Sequence, residues 1–302
     1  MLPLRDDNPT SRFAFVTFAI IALNVVAFLF WQPTFASGRA GEERQQVFFF
    51  CQAMIPWEVI HRVDLGHGGA PAREAIARSG LVPPDQAGDF QRFLADRCGG
   101  KSWAASVFEA MFLHAGWLHI GGNMLFLWVF GNNVEDKIGP IRYLLFYFAS
   151  GLAATAAQVA LIHSGANAIL PNLGASGAIA GVLGAYLVMF PRRRVLTLVF
   201  FILITFVYLP AFVVLGAWFV LQLFSGVGAL SSRVNAGGGV AVWAHIGGFA
   251  FGALMAILFF PKERFGARPP PRRPDVPGRS WRGGGWRTFG RRPPPEAPWG
   301  GY

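Results

Sequence analysis

His114-Ala115-Gly116-Trp117-Leu118-His119-Ile120-Gly121-Gly122-Asn123 opens a run that stays apolar to Val134, with Leu118–Val134 polar only at His119, Asn123, Asn132 and Asn133. In hydrocarbon such a run is a helix, because a helix satisfies its own backbone N–H and C=O groups. On that helix His119 and Asn123 stand four residues apart and share one face. Hydrogen-bonding groups inside a span are costly, and they are usually functional. What this pair does depends on what the rest of the chain places beside it.

The composition is that of a membrane protein. Of 302 residues, 53% are hydrophobic and 14% charged, against roughly 25% charged in soluble domains. The 30 Phe and 10 Trp would be hard to bury in a soluble core of this length, and mean hydropathy is +0.42. Disorder overall and a cytosolic enzyme are excluded. Six spans are expected, at Phe13–Trp31, Leu118–Val134, Ile141–Ile162, Ala175–Phe190, Pro210–Val227 and Val240–Phe260. The first is longer than a signal-peptide apolar core and reads as a retained anchor, with cleavage at Thr34–Ala36 as the alternative. Val195–Leu209 is also apolar, but joined to the next run it gives 33 residues. That is about 50 Å of helix against about 30 Å of hydrocarbon, so it is expected as a membrane-associated lead-in broken at Pro210. The fold class is an all-α polytopic membrane protein with a six-helix bundle, Phe13–Phe260, between a short N-terminal stretch (1–12) and a tail (261–302).

The net charge of +10 is unevenly spread, since from Pro261 onward ten Lys and Arg face only Glu263, Asp275 and Glu296. That stretch holds ten of the 21 prolines and many glycines, so it is expected to be a disordered, basic tail that attracts anionic lipid rather than nucleic acid. The turns around Lys137 and Arg142 and at Arg192–Arg194 are basic, whereas His163–Gly174 and Ser225–Gly239 hold only Arg233. By the positive-inside rule both termini are cytoplasmic. Cys51 and Cys98 then fall in the long external loop Gln32–Trp117, where a disulfide and two unpaired thiols are equally compatible with the sequence.

Three polar sets lie toward the external ends of spans two, four and six: His119 with Asn123, Gly174-Ala175-Ser176-Gly177, and Ala244-His245-Ile246-Gly247-Gly248. Together they suit acyl transfer. A serine hydroxyl needs a base to take its proton, and imidazole does this near neutral pH. The developing oxyanion needs donors aimed at it, which the Asn123 amide, the His119 ring and the Ser176 backbone N–H supply. No Asp or Glu within a span stands ready to orient His245, so a dyad is expected. Glycines 177, 181, 248 and 252 would bring spans four and six close enough for the two side chains to meet. Each residue taken alone has a packing explanation; a serine, a histidine and a His/Asn pair at one depth do not. His114, His119 and His245 could form a three-histidine metal site, but no metal and no cofactor is the expectation.

These residues resemble the rhomboid family of intramembrane serine proteases. The resemblance rests on His114–Asn123, Gly174–Gly177 and Ala244–Gly248, with Gly131-Asn132-Asn133-Val134-Glu135 similar to a family turn after span two, and it covers about Phe13 to Phe260. It implies Ser176 as nucleophile and His245 as base and then acid. His119, Asn123 and the Ser176 amide would form the oxyanion hole, with Leu173 and Gly174 backbone along the substrate strand. The implied substrates are single-span membrane proteins, cut near the outer membrane face; the pattern is similar to bacterial members, hence an inner-membrane protein. The Trp-Arg pair many rhomboids carry in the first loop is not evident, and Glu135 is expected to accept structural hydrogen bonds. The alternative is a catalytically silent rhomboid-like protein that binds transmembrane helices, whose usual mark is loss of the serine or histidine. A channel or transporter would favour an internal repeat with charged residues within spans, and neither is present.

Overall fold

Gly177, Gly181 and Gly184 form one stripe of a short helix, and Gly248 and Gly252 a stripe of another; their meeting organises the chain. The computed structural model describes residues 1–200, 204–231 and 241–260. In chain order it contains β1 (Leu2–Asp6), α1 (Phe15–Val26, continued to Trp31 by a wider turn), α2 (Gly38–Gln52), α3 (Pro56–His61), α4 (Gly69–Ser79), α5 (Ala87–Cys98), α6 (Trp103–Glu109) and α7 (Trp117–Phe126). The chain continues with α8 (Asn132–Ile138), α9 (Pro140–Leu161), α10 (Ala166–Ile169), α11 (Ser176–Met189), β2 (Arg194–Phe200), β3 (Ile204–Pro210), α12 (Ala211–Ser231) and α13 (Val242–Phe259).

The protein is mostly helical, and a helix stands at each of the six apolar runs. By length and composition Pro140–Leu161 and Val242–Phe259 are long and apolar enough to cross a membrane; Phe15–Trp31, Ser176–Met189 and Ala211–Gly226 are shorter apolar helices. The expected tail from Pro261, and residues 232–240 of the expected loop Ser225–Gly239, lie outside the described residues.

α11 and α13 touch backbone to backbone. A Cβ on Gly248 would strike the carbonyl of Gly177, one on Gly252 that of Gly181, and one on Gly184 that of Phe249. α9 closes the third side, with Ala154 against Gly177, Ser150 against Gly181 and Ala157 against Gly247. The surrounding core includes Tyr143, Tyr147, Leu183, Tyr186 and Phe249. Small residues let helices approach in hydrocarbon, where no hydrophobic drive holds them together.

The expectation of an all-α chain needs correction: β1, β2 and β3 form an antiparallel sheet in that order, with Thr197 opposite Pro3 and Val207, and the two ends of the expected lead-in Val195–Leu209 lie in β2 and β3. The physical reason is composition, since Val195, Thr197, Val199, Ile204, Thr205 and Val207 are β-branched and fit a pleated surface better than a helix. β1 is further held by Asp6, whose carboxylate accepts from Asn133 Nδ2 at 2.8 Å and from the Tyr186 hydroxyl at 2.5 Å. Burial pushes the Asp6 carboxyl up to about 6, Asp7 adds to the rise, and the Tyr186 bond opposes it. The folded state therefore holds this proton more tightly than the unfolded chain, whose Asp titrates near 3.9. The stability Asp6 contributes falls as pH rises from about 4 through about 6. Asp6→Asn should flatten that slope and raise the melting temperature above about pH 7; thermal melts across this range check both.

The stretch Gln32–Trp117 is folded rather than an open loop. α3, α4, α5 and α10 share a core of Ile55, Trp57, Leu65, Ala72, Ile76, Leu94 and Ile169. Lys101 Nζ, buried, pairs with Glu58 at 2.7 Å and donates to the Phe50 and Ala53 carbonyls. Of the two states open to the cysteines, the structure has the disulfide, Cys51 to Cys98, across a separation of 47 residues. Loop-closure entropy for that separation is worth about 4 kcal/mol. Cys98→Ser, or reduction, should therefore lower the resistance of α2–α5 to limited proteolysis and leave the α9–α11–α13 layer protected.

Candidate active site

Ser176 is the first residue of α11. That position leaves its backbone N–H at the helix N-terminus, where no earlier turn supplies an acceptor and the dipole favours negative charge. Gly174 just before it has φ +124°, and a Cβ there would lie 3.0 Å from His119 Nε2 and 3.5 Å from Ser176 Oγ. Glycine is needed on both counts, backbone conformation and room. The same position brings His119 Nε2 and Ser176 Oγ to one glycine.

Across the α11–α13 contact, His245 Nε2 lies 2.6 Å from Ser176 Oγ. The ring is 8% exposed, and its other nitrogen, Nδ1, lies 2.9 Å from the side-chain oxygen of Gln222 on α12. The Trp218 ring stands 5.8 Å from the imidazole, centroid to centroid.

His119 and Asn123 lie on α7. The Ala115 N–H donates to His119 Nδ1 at 3.2 Å. In the neutral ring that assigns the proton to Nε2, the nitrogen that lies against Gly174. Asn123 is buried, and its Nδ2 has no hydrogen-bond partner. A buried amide donor left unpaired costs stability, and here it stands on the helix face that carries His119. Leu173 and Gly174 line the same cavity as Ser176, a space of about 40 Å³ bordered also by Met54, Met111, Asn172 and Ala244. That is room for two or three waters. The Gly174 N–H is already used, donating to the Ala110 carbonyl at 2.8 Å.

His114 does not join the cluster. It is fully buried beside His119, ring centroids 5.1 Å apart. Burial, with His119 adding to it, pushes its imidazole down to about 3. Gln32 instead ties its backbone to α1, donating to the His114 carbonyl and accepting from its N–H. Among the described residues no group of three His, Cys, Asp or Glu side chains is placed to hold a metal ion. Glu135, expected to be structural, accepts from the Val16 and Thr17 N–H groups and the Thr17 hydroxyl, and so caps the start of α1.

Gln222, Trp218 and Gln158 were not found from sequence. Gln158 accepts from the Ala244 N–H and donates to Asn172, linking α9 to α13 and to the segment before Ser176. The signal was available: Gln158 and Gln222 are amide side chains within apolar runs, the same kind of mark that exposes Asn123.

The Rhomboid domain family model matches residues 101–262. The chain belongs to the rhomboid family. Rhomboids are integral membrane proteins, and in this rhomboid the matched region holds His119, Asn123, Ser176, Gln222 and His245. Rhomboid protein 1, mitochondrial, of Saccharomyces cerevisiae is 32% identical over 157 residues, 49% of this chain and 40% of that protein. RHOMBOID-like protein 1 of Arabidopsis thaliana is 30% identical over 161 residues, 53% of this chain and 36% of the relative. Rhomboid protease GluP of Bacillus subtilis is 38% identical over 88 residues, 29% of this chain and 16% of the protease. This rhomboid thus matches 40% or less of the length of these relatives.

Proposed function

We propose that this rhomboid is an intramembrane serine endopeptidase that cleaves single-span membrane proteins near the outer membrane face. The observation that carries the proposal is the 2.6 Å contact between His245 Nε2 and Ser176 Oγ. As Oγ attacks the scissile carbonyl carbon, its proton passes to Nε2. The carbonyl oxygen becomes an oxyanion, received by the Nε2–H of His119, the Nδ2 of Asn123 and the Ser176 N–H at the start of α11. The imidazolium then protonates the leaving amine as the C–N bond breaks, leaving an ester on Ser176. Water, deprotonated by His245, releases the acid and restores the serine. No metal or cofactor enters this sequence of steps.

Six crossings with both termini cytoplasmic form part of the proposal, supported by helices at all six apolar runs and by the basic turns at Lys137 and Arg192–Arg194. The basic stretch from Pro261 is proposed to meet anionic lipid on that side. The bacterial inner membrane is a separate proposal, since the relatives above include a mitochondrial yeast protein beside a Bacillus subtilis one; fractionation of the native cell tests it.

The deciding experiment treats purified protein with a fluorophosphonate label and, separately, with a model single-span substrate. A covalent adduct mapped to Ser176, together with cleavage, supports the protease. A folded protein that neither labels nor cuts a panel of substrates, yet binds them, is the silent helix-binding relative instead.

A further inference from the structure

We infer that Gln222 is a positioning residue for His245: its side-chain oxygen fixes the imidazole proton on Nδ1 and leaves the Nε2 lone pair for Ser176. The inference rests on the proposed role of His245 as general base. A neutral imidazole carries one proton on either nitrogen, and only the ring with the proton on Nδ1 can accept from a serine at Nε2. Something must make that choice, and a carboxylate is the usual device. Among the described residues the partner of Nδ1 is instead the Gln222 side-chain oxygen, at 2.9 Å, which as an acceptor requires a donor opposite it.

The placement follows from helix geometry. Trp218 and Gln222 are four residues apart on α12 and share a face. Both meet His245, the indole against the ring at 5.8 Å and the amide at Nδ1. Phe219 stacks on Phe249 of α13 at 4.4 Å between centroids, which holds this stretch of α12 in register with the helix that carries His245. Orientation and tautomer of the base are therefore both set from α12. An amide also suits a half-buried site inside an apolar helix. A carboxylate would bias the ring more strongly but would carry the cost of an ion out of water, whereas a neutral acceptor performs the selection without that cost.

The test compares wild type, Gln222→Leu and Gln222→Glu in detergent micelles with a model single-span substrate. A second readout records ¹⁵N-histidine spectra, in which His245 is identified by the signal lost in His245→Asn. Gln222→Leu is expected to lower kcat about tenfold, the factor one net neutral hydrogen bond carries, with KM unchanged. Its spectrum should shift His245 from the Nδ1–H form toward the Nε2–H form. Gln222→Glu keeps an acceptor in place and should recover most of the lost kcat. An unchanged kcat in Gln222→Leu overturns the inference, as does an unchanged spectrum. A rise in KM with kcat retained overturns it too, because α12 would then be serving substrate binding. The spectrum needs no turnover. If wild type neither cuts nor labels, the protease reading fails, and the tautomer in wild type and Gln222→Leu still decides what Gln222 does.

Discussion

Ser176→Ala is expected to remove cleavage by at least about a thousandfold, below detection for a slow protease, while leaving the melting temperature within a degree or two. The size of the effect follows from what is lost. Oγ is the atom that forms the bond, and no other hydroxyl lies within reach of His245 Nε2 among the hydrogen bonds of the described residues. The structural cost is small because alanine is favourable in a helix and the Ser176 backbone N–H is retained. His245→Ala should lose as much, and the double variant no more, because the two residues act as one unit. Rates on a single-span substrate, with melts of the same preparations, decide the matter. Cleavage that survives in Ser176→Ala would exclude this serine as nucleophile.

Gly252→Ala is the second large effect, and it reaches the same site through the backbone. One added methyl meets the Gly181 carbonyl, which is main chain and cannot rotate away as a flexible side chain would. The helices must separate or tilt. Overpacking of this kind costs about 1–3 kcal/mol, and separating α11 from α13 also lengthens the 2.6 Å contact on which proton transfer depends. Loss of melting temperature and loss of kcat should therefore appear together. Gly216→Ala on α12 is the control, since a Cβ there meets nothing within 4 Å; it should leave both unchanged. Stability lost with kcat intact would show that the glycine contact holds the bundle but does not set the dyad.

What sequence could reveal depended on how far each signal reaches along the chain. His119, Asn123, Ser176 and His245 stood out because polar groups in apolar runs are conspicuous, and the structure brings His245 onto Ser176, with His119 against Gly174 two residues before that serine. Gln222 carries the same mark within its run, but a neutral amide has no charge to single it out as the group that orients His245. The sheet was hidden for a different reason. Hydropathy reads β2 and β3 as one apolar stretch, and the strand that completes them, β1, pairs Pro3 with Thr197 nearly two hundred residues away. The folded character of Gln32–Trp117 was hidden likewise, because its helices bury their apolar faces on one another and on Ile169 from a later part of the chain.

The β1–β2 pairing also constrains the path of the chain through the bilayer. Strands joined by backbone hydrogen bonds lie on one side of a membrane, so between Asp6 and Arg194 the chain crosses an even number of times. Ser11 bonded to Asp136 imposes the same parity on the interval between them. At the opposite ends of the helices, Gln32 bonded to His114 and Met54 bridged to Asn172 do so again. Two crossings between Ser11 and Asp136 and four between Asp6 and Arg194 meet every one of these conditions. Deleting or adding a single span between Asp6 and Arg194 would strand one partner of at least one pair across the bilayer from the other.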